Sequence, residues 1–407
     1  MRGTASIREG RILRVLSVNG IIERGAIISG IGISRISRKS GIGGIDLTAE
    51  SSAQAIQDAG LTPGDIDGIA TMGETPIPEA AVRLGIDPAW TGGAMGRWGL
   101  LSPVVDAFHA VSSSQARHIL VYRTVNMMGG SVFPSAQEGG APARTAAAPV
   151  QERNNPMGGL PRLLAAHAYS AANWLALHAR RHMDLYGTTK EQLGWLAINS
   201  RKNAALNPRA AFRDPITMDD YMSARMISEP FGLLDCDVPV DGSVAFVVSS
   251  ADAAQDCDQS VRVEACGGSL GLGGWDQRPD YPKMASTDAA AELWSRTSLT
   301  SGDVDIAELY DGFTFLTLAW LEALGFCGDG EAGPFVEGAT RISRDGQLPL
   351  NTYGGQLSAG RMHGNWVLHE ACLQLRGEAG ERQIEKHEVA VVSNGGGPIA
   401  GCMLLTR

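Results

Sequence analysis

Short apolar runs alternate with longer amphipathic stretches along most of the chain. The run 26–32 reads as a buried strand, and the pattern after it predicts a helix from about Leu47, with Asp46 as N-cap and Gly60 as its stop. Strands are predicted at 66–72, 118–122 and 243–249, with helices at 104–114, 164–186 and 189–206. The second half repeats this alternation. It begins with a strand at 261–265, continues with helices at 315–324 and 365–375, and ends with strands at 389–393 and 401–405. Between 128 and 165 the periodicity fails, and glycine, proline and alanine predict a long loop region. Alternating strands and helices imply an α/β architecture with largely buried sheets.

One pattern recurs. Leu61-Thr62-Pro63-Gly64-Asp65-Ile66-Asp67 returns as Leu299-Thr300-Ser301-Gly302-Asp303-Val304-Asp305, a displacement of 238 positions. Each copy follows a helix-like segment and enters an apolar run. The spacing is far too long for a solenoid and implies a duplicated domain. The expected divisions are an N-terminal extension at 1–24, a first half at 25–250 that includes a loop domain at about 125–235, and a second half at 258–407. The copies diverge downstream: the first leads to Gly68-Ile69-Ala70-Thr71, the second to Glu308-Leu309-Tyr310-Asp311.

Composition narrows the class. The 407 residues are 44% hydrophobic and 19% charged, ordinary for a globular protein with a substantial core. No apolar run is long enough to span a bilayer, and the arginines at 2, 8, 11 and 14 flank no continuous apolar core of a secretory signal. A cytoplasmic location without membrane insertion is expected. A net charge of −10 without basic, aromatic-interleaved clusters argues against nucleic acid as a partner. Six scattered cysteines lack CxxC spacing, so no metal site is expected, and none precedes Cys236.

Several motifs carry chemistry. Gly267-Gly268-Ser269-Leu270-Gly271 has the spacing of a nucleophile elbow, but the glycines and prolines that follow oppose the helix such an elbow needs, and a glycine-rich turn is expected. Gly30-Ile31-Gly32 is half a dinucleotide fingerprint without its third glycine. Tyr310 and Asp311 end an apolar strand, where α/β proteins build their sites. Tyr353 lies in a glycine-rich loop with Arg361 and His363, and Gly395 and Gly396 offer backbone N–H groups for an oxyanion.

Taken in order, these segments resemble the thiolase superfamily, in particular its sterol-carrier-protein-X type. The resemblance is carried by His182 to Thr188, Asp241 to Ala245, Glu308-Leu309-Tyr310-Asp311-Gly312-Phe313, Asn351-Thr352-Tyr353-Gly354-Gly355 and Gly395-Gly396-Gly397. It implies the thiolase fold: duplicated halves in a five-layered αβαβα arrangement, with a loop and helical insertion in the first half. The departures are chemical. The region 92–102, which resembles the part of a thiolase that carries its nucleophilic cysteine, has none. Ser393-Asn394 stands where a second active cysteine would, Gly360-Arg361-Met362 replaces the G-H-P segment, and Tyr310 replaces the strand-end histidine.

Tyr310 and Tyr353 together resemble the tyrosine pair of thiolase-like aldolases that cleave steroid side chains. That resemblance implies retro-aldol cleavage of a β-hydroxyacyl-CoA into a ketone and a short acyl-CoA. One tyrosine would act as base and the other as acid, supported by Asp311, His363 and Arg361, with Gly395 and Gly396 holding the thioester oxygen. It also implies a homodimer and a small acyl-CoA-binding OB-fold, zinc-ribbon partner. The chain would need no cofactor of its own, and any zinc would sit in the partner. The alternatives are a thiolase or acyltransferase with displaced chemistry and a non-catalytic lipid or acyl-CoA carrier.

Overall fold

The computed structural model describes residues 21–39, 41–73, 75–128, 160–254, 259–271 and 275–407. Residues 1–20 of the expected extension and 129–159 of the expected loop lie outside them. In the first half β1 (Ala26–Ile33), α1 (Gly44–Asp58), β2 (Gly68–Thr71), α2 (Ile77–Leu84), β3 (Trp90–Gly92), α3 (Ser102–Ser112) and β4 (His118–Asn126) precede an insertion. The insertion carries α4 (Leu160–Ala165), α5 (Ala171–Tyr186), α6 (Lys190–Ala204), α7 (Met218–Met222) and the ribbon β5 (Met226–Ser228) and β6 (Phe231–Gly232), and β7 (Asp241–Ser250) closes the half. The second half runs β8 (Val261–Leu270), α8 (Ala285–Ser295), β9 (Ile306–Glu308), α9 (Thr314–Ala323), α10 (Ala332–Val336), α11 (Asn365–Arg376), β10 (Val389–Gly395) and β11 (Ile399–Thr406).

The strand order β3-β2-β4-β7-β1-β8-β11-β10-β9 shows the duplication directly. β2 lies parallel to β4 as β9 lies parallel to β10, and β7 and β11 then return antiparallel in each half. The halves meet where β1 pairs with β8 through only Ile27–Arg262 and Ile28–Val261. Helix α1 covers β1, β4 and β7 on one side, and α8 covers β8 and β11. Helices α3 and α11 fill the middle, α11 touching β9 and β10 of its own half and β1 and β7 of the other. This is the expected thiolase arrangement of α, β, α, β and α layers.

The repeated heptapeptide has a physical job in both copies. Asp65 accepts hydrogen bonds from the Thr62 N–H (2.8 Å) and hydroxyl (2.6 Å), closing a one-turn 3₁₀ segment. Asp303 does the same with Thr300, at 2.8 Å for both bonds. The second acid clamps the start of the neighbouring parallel strand: Asp67 accepts from Arg117 and His118, and Asp305 from Glu388 and Val389. Two carboxylates therefore bring the helix exit and the strand entry into register.

Several boundaries differ from the expectation. Helix α1 begins at Gly44 with Gly43 at its cap, and Asp46 lies in its first turn, where its charge complements the positive end of the helix dipole and meets Arg83 at 3.2 Å. The stretch 164–186 is two helices, because His167 takes φ +60° and Ser170 starts a new one with Asn173. The Gly267–Leu270 segment continues strand β8 opposite β11, so Ser269 sits in a ladder and no nucleophile elbow forms. Gly30 and Gly267 occupy equivalent places: a Cβ on either would overlap a carbonyl oxygen of its covering helix, Ala55 or Ala289. The Gly-x-Gly of β1 is thus a helix–strand packing requirement. Residues 22–24 already belong to the fold, since buried Glu23 pairs with Arg296 at 2.7 Å.

Asp305→Ala leaves two strand-entry amides without an acceptor and should cost about 2–4 kcal/mol. Asp303→Ala loses only a cap and should cost about 1 kcal/mol. Denaturant unfolding at constant m-value checks this order, and equal effects would refute it.

Candidate active site

Strand β9 delivers Glu308, Leu309, Tyr310 and Asp311 to one edge of the second half. The Tyr310 N–H donates to the Ser393 hydroxyl at 2.9 Å, and the Leu309 N–H to Asn351 Oδ1 at 2.7 Å. Asp311 is buried and turns inward. It accepts from the backbone N–H of Gln356 (2.8 Å) and Leu357 (3.4 Å), anchoring a single π-helical turn, Gly355–Ala359. Burial pushes the Asp311 carboxyl up to about 6, against the pull of these donors and the Asn351 side chain.

The first half enters the site through a segment that carries no motif. The Asp237 N–H donates to Gly312 O (3.2 Å), Val238 N–H to Gln356 O (2.9 Å), and Arg361 N–H to Val238 O (2.8 Å). Asp237 is thereby set beside Arg361, whose Nη1 lies 3.3 Å from Asp237 Oδ1. Burial pushes the Asp237 carboxyl up to about 7; Arg361 lowers it and Asp311 raises it further. Tyr310 shares this field. Burial and then Asp237 raise its phenol above the ordinary range, while Arg361 and the Gln356 side chain act the other way. At neutral pH Tyr310 holds its proton.

His363 adopts φ +51° and is partly exposed. Arg123 Nη2 donates to its Nδ1 at 2.5 Å, and since a guanidinium cannot accept, the imidazole carries its proton on Nε2. Burial, then Arg123 and Arg361, push its pKa well below the ordinary value, so His363 is a neutral N–H donor. Asn394 bridges the halves: its Oδ1 accepts from Leu100 N–H (3.1 Å) just ahead of α3, and its Nδ2 donates to His363 O (2.7 Å). Gly364, at φ +79°, lets the chain pass between Asn394 and Tyr310, whose atoms a Cβ would meet.

Two expected site residues have surroundings that their sequence context did not suggest, although Tyr353 lies close enough to Asp311 and Tyr310 to feel both. Tyr353 is not in an open loop: it is wholly buried, its ring packs 5.1 Å from that of Trp366, and its hydroxyl has no hydrogen-bond partner among the described residues. Burial raises its pKa well above the ordinary value. The insertion causes this, because α6 covers the loop: Asn199 and Asn203 donate to Leu350 O, and Asn207 donates to Tyr353 O at 2.8 Å. Gly396 is the second. Its N–H donates to Ile399 O at 3.0 Å in the hairpin between β10 and β11, so it is not a free oxyanion donor. Gly395, at φ +68°, keeps its carbonyl on Trp320 Nε1 at 3.0 Å.

Among the described residues the cysteines are free, and none is activated. Cys236, next to Asp237, has its thiol pushed up to about 12 by burial and then by Asp235 and Asp237. Behind the site lies a second buried acid pair. The Thr352 hydroxyl is 2.6 Å from Glu308 Oε1 and 3.1 Å from Glu370 Oε1, and Arg382 engages both oxygens of Glu370. The pair thus has one guanidinium for two carboxyls, and it bonds only Glu370. Burial, then Glu370, raises the Glu308 pKa, so this group keeps its proton.

Comparison with known proteins identifies the family. A family model described as "Thiolase C-terminal domain-like" matches residues 273–405. The chain is 35% identical to the 17-hydroxy-3-oxo-4-pregnene-20-carboxyl-CoA lyase of Mycobacterium tuberculosis, over 93% of this chain and 98% of that protein. It is 33% identical to the steroid side-chain-cleaving aldolase of Thermomonospora curvata, over 94% and 98%. The solved structure of the Ltp2-ChsH2(DUF35) aldolase superposes with TM-score 0.84 at 31% identity, covering 95% of this chain and 99% of that one. The chain belongs to the thiolase superfamily, in its thiolase-like branch of steroid side-chain-cleaving aldolases and lyases.

Glu308 supports a prediction on stability. Its pKa is raised in the folded state, so folding becomes costlier as pH climbs above the ordinary value of 4.5, where the unfolded chain ionises and the folded one does not. Glu308→Gln removes that cost. Its Tm should match the wild type below about pH 4.5 and exceed it by a margin that grows with pH. A margin that shrinks as pH rises would contradict a protonated Glu308.

Proposed function

We propose that the protein is a retro-aldol carbon–carbon lyase that cleaves a β-hydroxyacyl-CoA, a steroid side-chain thioester, into a ketone and a short acyl-CoA such as propionyl-CoA. The observation that carries this is a thiolase-type site without an activated thiol, furnished instead with Tyr310, Asp237, Arg361 and His363. Similarity over nearly full length to a lyase and an aldolase named for steroid side-chain chemistry supports the substrate class.

The reaction breaks the bond between the β-carbinol carbon and the α-carbon. The hydroxyl proton must leave, the electrons of the broken bond must pass into a thioester enolate, and that enolate must gain a proton at carbon. Asp237, titrating at about 7, is the acceptor for the hydroxyl proton. Tyr310, still protonated, is the donor to the enolate carbon. Neutral His363 and cationic Arg361 stabilise negative charge as it develops on the thioester oxygen, the task first assigned to Gly395 and Gly396. Gly395 remains a further candidate for that task. Arg361 also counters the rise in pKa of both Asp237 and Tyr310.

The fold rivals fare less well on specific grounds. A displaced thiolase would need a thiolate, and Cys236, the cysteine at the site, is held as a thiol. A pure carrier would have no use for an acid with a pKa near neutrality beside a phenol. In this proposal the chain acts in the cytoplasm as a homodimer, without a cofactor of its own. It works with a small OB-fold, zinc-ribbon protein that binds the CoA side and carries any zinc. A partner is supported by the two-protein name of the similar aldolase structure. Among the described residues, no helix is long and apolar enough to cross a membrane.

Ketone release from a β-hydroxyacyl-CoA by the purified protein with its partner tests the activity. Tyr310→Phe should lower kcat by about 10²–10⁴-fold, while Tyr353→Phe, which removes an unpaired buried hydroxyl, should leave kcat within about threefold. Equal losses in the two would restore a tyrosine pair. As base, Asp237 must be ionised, so kcat/KM should rise with pH through about 7; Asp237→Asn should abolish that limb. An unchanged limb would remove Asp237 from the role.

A further inference from the structure

Behind Asp311 lies a small cavity with a water-accessible volume of about 10 Å³, enough for one water molecule. Its walls include Asn199, Ser200, Asp311, Thr317 and Asn351, all at most 4% exposed. Two of these walls carry polar atoms that nothing in the described protein satisfies: Asn199 Oδ1 and Thr317 Oγ1. The remaining atoms are committed. Asn199 Nδ2 donates to Leu350 O (3.2 Å), the Ser200 hydroxyl donates to Gly354 O, and Asn351 Oδ1 accepts from Leu309 N–H. Leaving a buried acceptor and a buried hydroxyl unpaired costs free energy, and the cavity is sized for the molecule that would remove that cost.

We infer that this cavity binds one ordered water, which accepts from the Thr317 hydroxyl and donates to Asn199 Oδ1 and to Asp311, and that through Asp311 it positions Tyr310. The donor and acceptor count closes. Thr317 needs an acceptor, Asn199 Oδ1 and the Asp311 carboxyl need donors, and water supplies two hydrogens and two lone pairs. Asp311 is the relay. Its carboxyl grips Gln356 and Leu357 N–H, and Gln356 sends its side chain toward both Gly364 N–H (3.2 Å) and Tyr310. A water bonded to Asp311 stabilises the ionised carboxylate that makes this grip. Thr317 and Asn199 are therefore positioning residues, one from α9 of the second half and one from α6 of the insertion. The functional part of this inference rests on the lyase reading, whereas the water itself does not.

A high-resolution crystal structure of the wild-type protein tests the site independently of activity. It should show a single peak in hydrogen-bond contact with Thr317 Oγ1, Asn199 Oδ1 and Asp311. Absence of a peak there, or one with the short contacts of a metal ion, overturns the inference. Thr317→Val keeps the shape and removes the hydroxyl, whereas Thr317→Ser keeps the hydroxyl. The valine variant should lose the water and lower kcat roughly tenfold with little change in KM, the serine variant should retain both, and equal thermal stability would be no rescue. If the valine variant loses the water but keeps wild-type kcat and pH profile, the positioning role fails while the water site stands. If no variant or wild type turns over substrate, the lyase reading fails and the crystallographic result still decides the site.

Discussion

The buried carboxylate of Asp311 is the tie on which the site depends. It reaches 45 positions along the chain to hold Gln356, and without it the end of β9 and the π-helical turn at Gly355–Ala359 would share no direct polar bond at that point. The tolerances are narrow. A Cβ on Gly355 would overlap the Asp311 carboxyl, so the turn can approach the acid only because that position is glycine. Once the turn is fixed, Gln356 O receives Val238 N–H, and this brings Asp237 from the first half to Arg361 of the second. One acid thus sets the relative placement of Tyr310, Asp237 and Arg361.

The electrostatics follow from crowding acids against too few cations. Asp237, Asp311, Glu308 and Glu370 sit within one buried region, and Arg361 and Arg382 each engage only one of them. The remainder is resolved by protons: Glu308 keeps one, and Asp237 and Asp311 are raised towards neutrality. Tyr310 feels this negative surrounding and stays a phenol. A site assembled in this way favours acid–base chemistry over nucleophilic chemistry, because it raises thiols such as Cys236 as well as carboxyls. Burial, and then Arg123 and Arg361, keep His363 a neutral donor.

The fold was legible because its signals are local. Apolar runs marked the strands, and the repeated heptapeptide marked the duplication, since both of its acids act within the turn or on the adjacent strand entry. The site was legible only in part. Tyr310 could be placed because a strand end is a local property, and the absence of cysteine in 92–102 was a plain reading. The burial of Tyr353 was not legible because it comes from α6 and the residues just after it, some 150 positions earlier, where Asn203 and Asn207 bond the loop's carbonyls. Gly396 was misassigned because a hairpin partner three residues on consumes its N–H. Asp237 carried no signal, since nothing in Cys236-Asp237-Val238 foretells pairing with Gly312 and Arg361.

Duplication explains why the chemistry lies on one side. Both heptapeptides deliver a strand that runs parallel to its neighbour, but β2 ends in Thr71, whose hydroxyl is spent on Tyr122 O at 2.7 Å, whereas β9 leads into Tyr310 and Asp311. The first half still contributes, through loops and the side of β4 rather than through the end of β2: Asp237, Arg123 and the Leu100 amide all reach the second half's groups. The Leu100 N–H, just ahead of α3, is occupied by Asn394, and Asn394 also fixes the His363 carbonyl. Asn394 therefore ties the two halves together at the point where His363 is held, and with no activated thiol among the described residues proton transfer is the chemistry the remaining groups can perform.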